Sequence, residues 1–254
     1  MQYIKTKIED HILSIFLDRG KSNAIDTQLL KELIETLESN QANDAVRGAI
    51  LIGKENFFSA GLDLITLFDY DEDQIREFWN LFLEATSLLA SFPKPIVAAI
   101  SGHSPAGGCV FALCCDYRIM AEGNFVIGLN EIPVGLIVPE SIFQLYAFWI
   151  GKRHAYQNLL EGKLLSPLEA KSQGLVDEVV PADILFNTAS KKIKQIAQFN
   201  QKTWQTSKLN FRKEIILKLR ENREETIQAI LEQWWLPSTR SILKSIIENL
   251  TSKK

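Results

Sequence analysis

The sequence is poor in the residues that hold small proteins together by covalent or metal chemistry. Its 254 residues include three cysteines and three histidines. Cys109, Cys114 and Cys115 are an odd number gathered in one apolar stretch, which reads as small buried side chains in a reducing compartment. A vicinal bridge between Cys114 and Cys115 is the alternative. His11, His103 and His154 are scattered, without cysteine partners at metal-ligand spacing, so no metal is expected. No window of about 18 uncharged apolar residues exists, so no membrane span is expected. The opening MQYIKTKIEDHILSIFLDRG begins strand-like alternation at once, with neither a basic-then-apolar leader nor an Arg/Ser-rich transit stretch. The final TSKK is not a peroxisomal or retention signal. These absences predict a cytoplasmic protein. A basic excess is also missing: 28 Lys and Arg face 31 Asp and Glu, a net charge of -3, so no nucleic-acid partner is expected. No fixed-period repeat or low-complexity tract stands out.

What is present is ordinary globular material. Hydrophobic residues make up 46% and charged residues 23%, enough apolar content for a large core. Residues 2–9 and 11–17 read as a hairpin around Glu9-Asp10. Asp26 sits where a helix N-cap belongs, ahead of Leu29, Leu30, Leu33, Ile34 and Leu37 at helical spacing. Val46–Ile52 and Ile96–Ile100 are short continuous apolar runs, as in strands buried on both faces. Asp71–Ser91 is an amphipathic helix stopped by Pro93 and Pro95. After a small-residue turn, helical periodicity resumes at Gly107, and Tyr117–Ala121 and Phe125–Gly128 read as strands. From about residue 140 the chain is helical, apart from a strand-like Leu175–Pro181. Strands alternating with helices predict an α/β fold with a largely parallel sheet. The charged, helical residues 183–254 form a separate C-terminal region after a core of residues 1–182.

Two glycine-bearing turns each follow a buried strand and open a helix: FSAGLD at 58–63 and SPAGGC at 104–109. Such turns expose backbone N–H groups at a helix N-terminus. Two on neighbouring strands can aim at one oxygen and stabilise charge developing on a carbonyl. Either turn alone is more often what backbone geometry requires. The third element is IGLNEIPVGL at 127–136, where Glu131 lies among apolar residues. A carboxylate in such surroundings holds its proton more readily and can act as a base near neutral pH. The alternative is a solvent-facing glutamate in a loop.

FFSAGLDL, SGHSPAGGCVFALCCDYRIMA, IGLNEIPVGL and KLLSPLEAKSQGLVDEVVP, in this order, resemble the crotonase (enoyl-CoA hydratase/isomerase) superfamily. Within it, AGLDL, PAGGC, CDYRIMA and IGLNE are most similar to the mitochondrial-type Δ3,Δ2-enoyl-CoA isomerases. The resemblance implies a ββα spiral core with a C-terminal helical region that trimerises or covers the active site. It implies an acyl-CoA substrate, no further cofactor, and a homotrimer or hexamer. It places an oxyanion hole at the N–H groups of Leu62 and Gly107, and the catalytic acid-base at Glu131. Ala60, Leu62 and Leu64, with the loop near Arg19, Ser22 and Ala24, would hold the CoA moiety; Pro105 and Ala106 would border the acyl thioester.

The sequence departs from the hydratases at one informative position. They use two glutamates to activate water, and the first is replaced here by Val110. A valine cannot hold a proton. One carboxylate suffices to move a double bond, so a 3-enoyl to 2-enoyl isomerase is the preferred reading. Hydration and thioester hydrolysis are the enzymatic alternatives, and an inactive acyl-CoA-binding or scaffold protein is the non-enzymatic one. Glu140 reads either as a second acid or as a negative charge at a helix start. Asp63 and Asp116 read as structural, the acidic LFDYDEDQ run as solvated surface, and Trp234 and Trp235 as packing or a subunit contact. Leu67, Phe68, Phe78 and Phe143 are the side chains expected to set the depth of the acyl pocket.

Overall fold

The computed structural model describes residues 1–252; Lys253 and Lys254 of the TSKK tail lie outside the described residues. Two sheets organise the chain. The larger has six strands in the order β1 (Ile4–Glu9), β2 (Ile12–Leu17), β3 (Gly48–Ile52), β5 (Ile96–Ile100), β7 (Tyr117–Ala121) and β9 (Glu178–Val180). Only β1 and β2 pair antiparallel; every later pairing is parallel. The smaller sheet aligns β4 (Asn56–Phe57), β6 (Gly102–Pro105) and β8 (Ile127–Gly128), also in parallel. Three successive turns, β3–β4, β5–β6 and β7–β8, each place one strand in each sheet, which is the repeat of the ββα spiral.

The continuous apolar strands are explained by cover on both faces. Ile50, Ile52, Val97, Ala99 and Ile119 face α7 (Leu185–Ala197) through Ala189 and Ile193. The alternate residues, Ala49, Leu51, Ile96, Ala98 and Ile100, join the main core with α1 (Thr27–Gln41), α3 (Glu72–Ser91) and α4 (Gly107–Cys114). Asp26 caps α1 by accepting from Leu29 N, and Asp71 with Gln74 forms a capping box on α3. All three cysteines are free and buried, so the vicinal bridge is absent.

The smaller sheet is where the expectations need correction. Residues 101–105 are not merely a turn: Gly102–Pro105 is strand β6. Strand β8 is shorter than the expected Phe125–Gly128, as β9 of the larger sheet is shorter than Leu175–Pro181. These strands of two to four residues are too short for a period-two signal. They are defined by backbone bonds such as Ser104 N to Val126 O and Ala106 N to Gly128 O, both 2.8 Å. Gly102 is required there, because a Cβ would lie 2.1 Å from the Asn56 carbonyl carbon.

The C-terminal helices pack on their own chain. α8 (Gln201–Phe211) and α9 (Lys213–Arg220) lead to α10 (Arg223–Trp234) and α11 (Pro237–Thr251). Both α9 and α10 lie against α3, while α11 reaches α2 (Leu64–Phe68) and the 3₁₀ turn Ile132–Val134. Trp234 is fully buried and belongs to the main core; Trp235 is exposed. Between β8 and β9, α5 (Glu140–Glu161) is broken at Gly151, and α6 (Pro167–Ser172) follows it.

Glu32 ties the first residues to α1. Its carboxylate accepts from Gln2 N, Tyr3 N and Ile4 N at 2.8–2.9 Å, and from Gln28. Burial alone would raise its pKa, but these hydrogen bonds win and hold it at about 2. The bonded carboxylate therefore stabilises the fold above pH 4.5, the ordinary value, and that stabilisation fades as pH falls toward 2. Glu32→Gln is expected to cost roughly 2–3 kcal/mol at pH 7 and almost nothing near pH 2. Urea unfolding at the two pH values measures the difference.

Candidate active site

The site forms where the smaller sheet delivers its loops. Ala60 N donates to Ser22 O at 2.9 Å, Ile25 N to Gly61 O at 2.8 Å and Asp63 N to Ile25 O at 2.9 Å. These bonds zip the Ser22–Ala24 loop onto the first glycine turn. Arg19 secures the same junction. It donates Nε to Asp26 at 2.8 Å, Nη2 to Asp63 at 2.6 Å and Nη1 to Ala24 O at 2.9 Å. Asp63 also caps α2 through Thr66. Its structural reading holds, and Arg19 is committed to this strut.

The two glycine turns meet. At Gly61, with φ +82°, a Cβ would lie 3.1 Å from Ala106 Cβ, 3.2 Å from Pro105 O and 3.3 Å from Gly107 N. Glycine there lets the first turn press against the second. Ala106 adopts φ 47° and ψ -121°, a strained conformation for a residue with a side chain, and caps α4 with no side-chain bond. Among the described residues, neither Leu62 N nor Gly107 N has a backbone acceptor. An anionic oxygen is a suitable partner for such a pair.

Both turns open on a cavity of about 750 Å³. It is lined by Ser22, Ala24, Ala60, Leu62 and Leu64 from one side, and by Pro105, Ala106, Gly107 and Glu131 from the other. Nine of the ten site residues expected from the sequence thus share one space. The tenth, Glu140, does not line it. Glu140 begins α5, is exposed, and lies 3.8 Å from Lys218 Nζ, as expected of a helix-start charge.

Glu131 stands at the head of the 3₁₀ turn Ile132–Val134. The residue is half-buried overall, yet its Oε2 is fully buried without a hydrogen-bond partner. Burial pushes its carboxyl up to about 7, against a smaller opposing pull from its own backbone N–H. The only other carboxylate lining the cavity among the described residues is Asp63, which is ion-paired. Val110 lines the wall beside Gly107. Cys109 is no rival nucleophile: burial, reinforced by nearby Glu131, pushes its thiol well above the ordinary value.

The apolar wall differs from expectation. Leu67, Phe68, Phe78 and Phe143 do not line the cavity; Trp79, Phe82, Val110, Leu136 and Ile142 do. Phe78 is fully buried in the core, and its helical neighbour Trp79 faces the opening instead. The sequence reading also missed Asn130, beside Glu131, and Ile246 and Leu250 of α11, which close the cavity from the C-terminal end. Nothing local in the sequence marks those last two, because their role depends on how α11 folds back.

A ββα spiral in which two glycine turns face one buried carboxylate defines the crotonase class of fold. The chain belongs to the enoyl-CoA hydratase/isomerase family, whose model matches residues 7–242. It is 35% identical over 234 residues to mitochondrial enoyl-CoA delta isomerase 1 of Mus musculus, covering 91% of this chain and 81% of that protein. It is 34% identical over 196 residues to a probable mitochondrial enoyl-CoA hydratase of Dictyostelium discoideum, covering 74% and 68% respectively. The crystal structure of human mitochondrial delta3-delta2-enoyl-CoA isomerase superposes with a TM-score of 0.96, at 30% identity, with both chains fully covered. No described helix is long and apolar enough to cross a membrane.

Proposed function

We propose that the protein is an enoyl-CoA isomerase that moves a 3-enoyl double bond to the 2-position. What supports this reading is that Glu131 is the one unpaired carboxylate lining the cavity among the described residues, and that Val110, which the family resemblance puts where a hydratase has its first glutamate, lines the same cavity and cannot hold a proton. In this reading the thioester oxygen lies between the N–H groups of Leu62 and Gly107. Glu131 removes a proton from C2, and the resulting dienolate places its negative charge on the oxygen. The carboxylic acid then delivers the proton to C4. Bonds and protons balance without water, metal or redox partner. Two donors aimed at the oxyanion lower the barrier; loss of one such donor typically costs about 10²–10³ in rate.

A raised pKa suits this shuttle. The group must accept a proton from carbon and release it again, which is easiest when its pKa lies near the working pH. Ser22, Ala24, Ala60 and Leu64 supply the wall along which the CoA moiety would run. Exposed Phe148, Tyr156, Leu160 and Phe211 supply apolar surface for a homotrimer or hexamer. Hydration requires a second acid, and exposed Glu140 is poorly placed to provide it.

Turnover of 3-enoyl-CoA in ¹⁸O-water separates the readings. Isomerisation gives a product of unchanged mass with no label. Label on C3 in a parallel incubation with 2-enoyl-CoA, whose conjugated double bond accepts water there, would mean hydration, and label in a free carboxylate would mean thioester hydrolysis.

A further inference from the structure

The helix that carries Gly107 treats its two ends in opposite ways. At its N-terminus, α4 has a strained Ala106 with no side-chain cap and a Gly107 N–H without a backbone acceptor among the described residues. At its C-terminus the last carbonyls are all taken. Trp149 Nε1 donates to Leu113 O at 2.8 Å. Arg212 donates Nη1 to Cys114 O at 2.6 Å and Nη2 to Cys115 O at 2.9 Å. Arg118 adds a bond to Cys115 O at 3.3 Å. Both guanidinium groups pack on the Trp149 ring, with Cζ 3.7 Å and 5.3 Å from its centroid for Arg118 and Arg212.

Arg212 is 4% exposed and stands between α8 and α9, far along the chain from α4. Asp116 balances its charge at 3.3 Å and also accepts from Lys208 Nζ at 2.8 Å. None of these residues lines the cavity. Burying a cation is costly unless it is paired and hydrogen-bonded. Arg118 is held mainly by Leu175 O at 2.9 Å and Asp177 at 2.6 Å, whereas Arg212 makes two bonds at the C-terminal end of α4, and that two-point grip opposes displacement of the end. The side chains of α4 are wholly buried, and packing fixes it laterally. The bonds to its terminal carbonyls oppose sliding along its axis. A helix of eight residues moves as a rigid body, so axial sliding would carry Gly107 N directly past Leu62 N.

We propose that Arg212, with Trp149, is a positioning residue for the thioester oxygen: it fixes α4 along its axis and thereby the spacing of the two N–H donors. The inference rests on the reading that Leu62 and Gly107 hold that oxygen. It makes the C-terminal helices part of the catalytic apparatus without giving α8 or α9 any contact with substrate.

The test is the infrared carbonyl stretch of hexanoyl-CoA, labelled with ¹³C at the thioester carbon and bound to the full-length protein. This saturated ligand cannot turn over, and its frequency falls as hydrogen bonds to the oxygen strengthen. The wild type is expected to lower the frequency relative to free ligand. Arg212→Lys and the milder Trp149→Phe, which keeps a smaller aromatic ring and removes one donor, are expected to return part of that shift. Their kcat for 3-enoyl-CoA should fall roughly ten- to hundredfold, as for a small displacement of a reacting geometry, with KM little changed. If Arg212→Lys fails to fold, Trp149→Phe decides. Folded variants that keep both the wild-type frequency and kcat would overturn the proposal. No shift in the wild type itself would instead overturn the two-donor reading, and this inference with it.

Discussion

Glu131→Gln is expected to lower turnover of 3-enoyl-CoA by about 10²–10⁴, the usual contribution of a positioned acid-base group, and to stabilise the protein at pH 8. The amide keeps the size of the side chain and cannot carry the proton. The stability change follows from burial. In the fold the carboxyl titrates at about 7, and in the unfolded chain near the ordinary 4.5. Between these values the unfolded chain releases a proton that the folded protein keeps, so stability falls as pH rises through this window. Above it the fold carries the full cost of a buried charge, on the order of 2–3 kcal/mol. The uncharged glutamine removes that cost, so the variant should unfold several degrees higher at pH 8 and at nearly the wild-type temperature at pH 4.5. The same titration predicts that wild-type kcat/KM rises with pH through about 7 and then levels off. Thermal scans at both pH values and a pH-rate profile check the pair. A base in a solvated loop would leave the stability of the variant unchanged.

Gly61→Ala is expected to cost about 10²–10³ in kcat, the loss of one oxyanion donor. The added methyl would sit 3.3 Å from Gly107 N and 3.1 Å from Ala106 Cβ, in a backbone conformation of φ +82° that favours glycine. The turns must separate or rotate, and the spacing of their N–H groups changes. The strained φ should also destabilise the fold by about 1 kcal/mol or more. Steady-state kinetics with thermal unfolding separates the two effects. A variant that unfolds slightly earlier yet retains full kcat would show that the turn serves folding alone.

The features legible in the sequence are those that a short segment carries by itself. The buried strands at Gly48–Ile52 and Ile96–Ile100, the Asp26 cap, the two glycine turns and Glu131 are local patterns. What escaped depends on residues far apart in the chain. Arg19 reaches Asp63 across 44 positions and Arg212 reaches Cys115 across 97, and charge composition does not show which pairs will meet. Helical periodicity predicts α3 but not which of its aromatic residues reaches the cavity, which is lined by Trp79 and not by the expected Phe78. Strands β4 and β6 are too short to alternate, although they place both turns, whereas β8, ahead of Glu131, falls within the expected Phe125–Gly128. The closure of the cavity by Ile246 and Leu250 is set by tertiary packing of α11 on α2.

The most direct measurement is the absorbance of the conjugated enoyl thioester when purified protein meets 3-enoyl-CoA, with 2-enoyl-CoA as the hydration control. The expected result is a rise with the 3-enoyl substrate, its loss in Glu131→Gln, and no decay of the 2-enoyl signal. Decay of the 2-enoyl signal without isomerisation, or tight binding of both thioesters with no change in either, would contradict it.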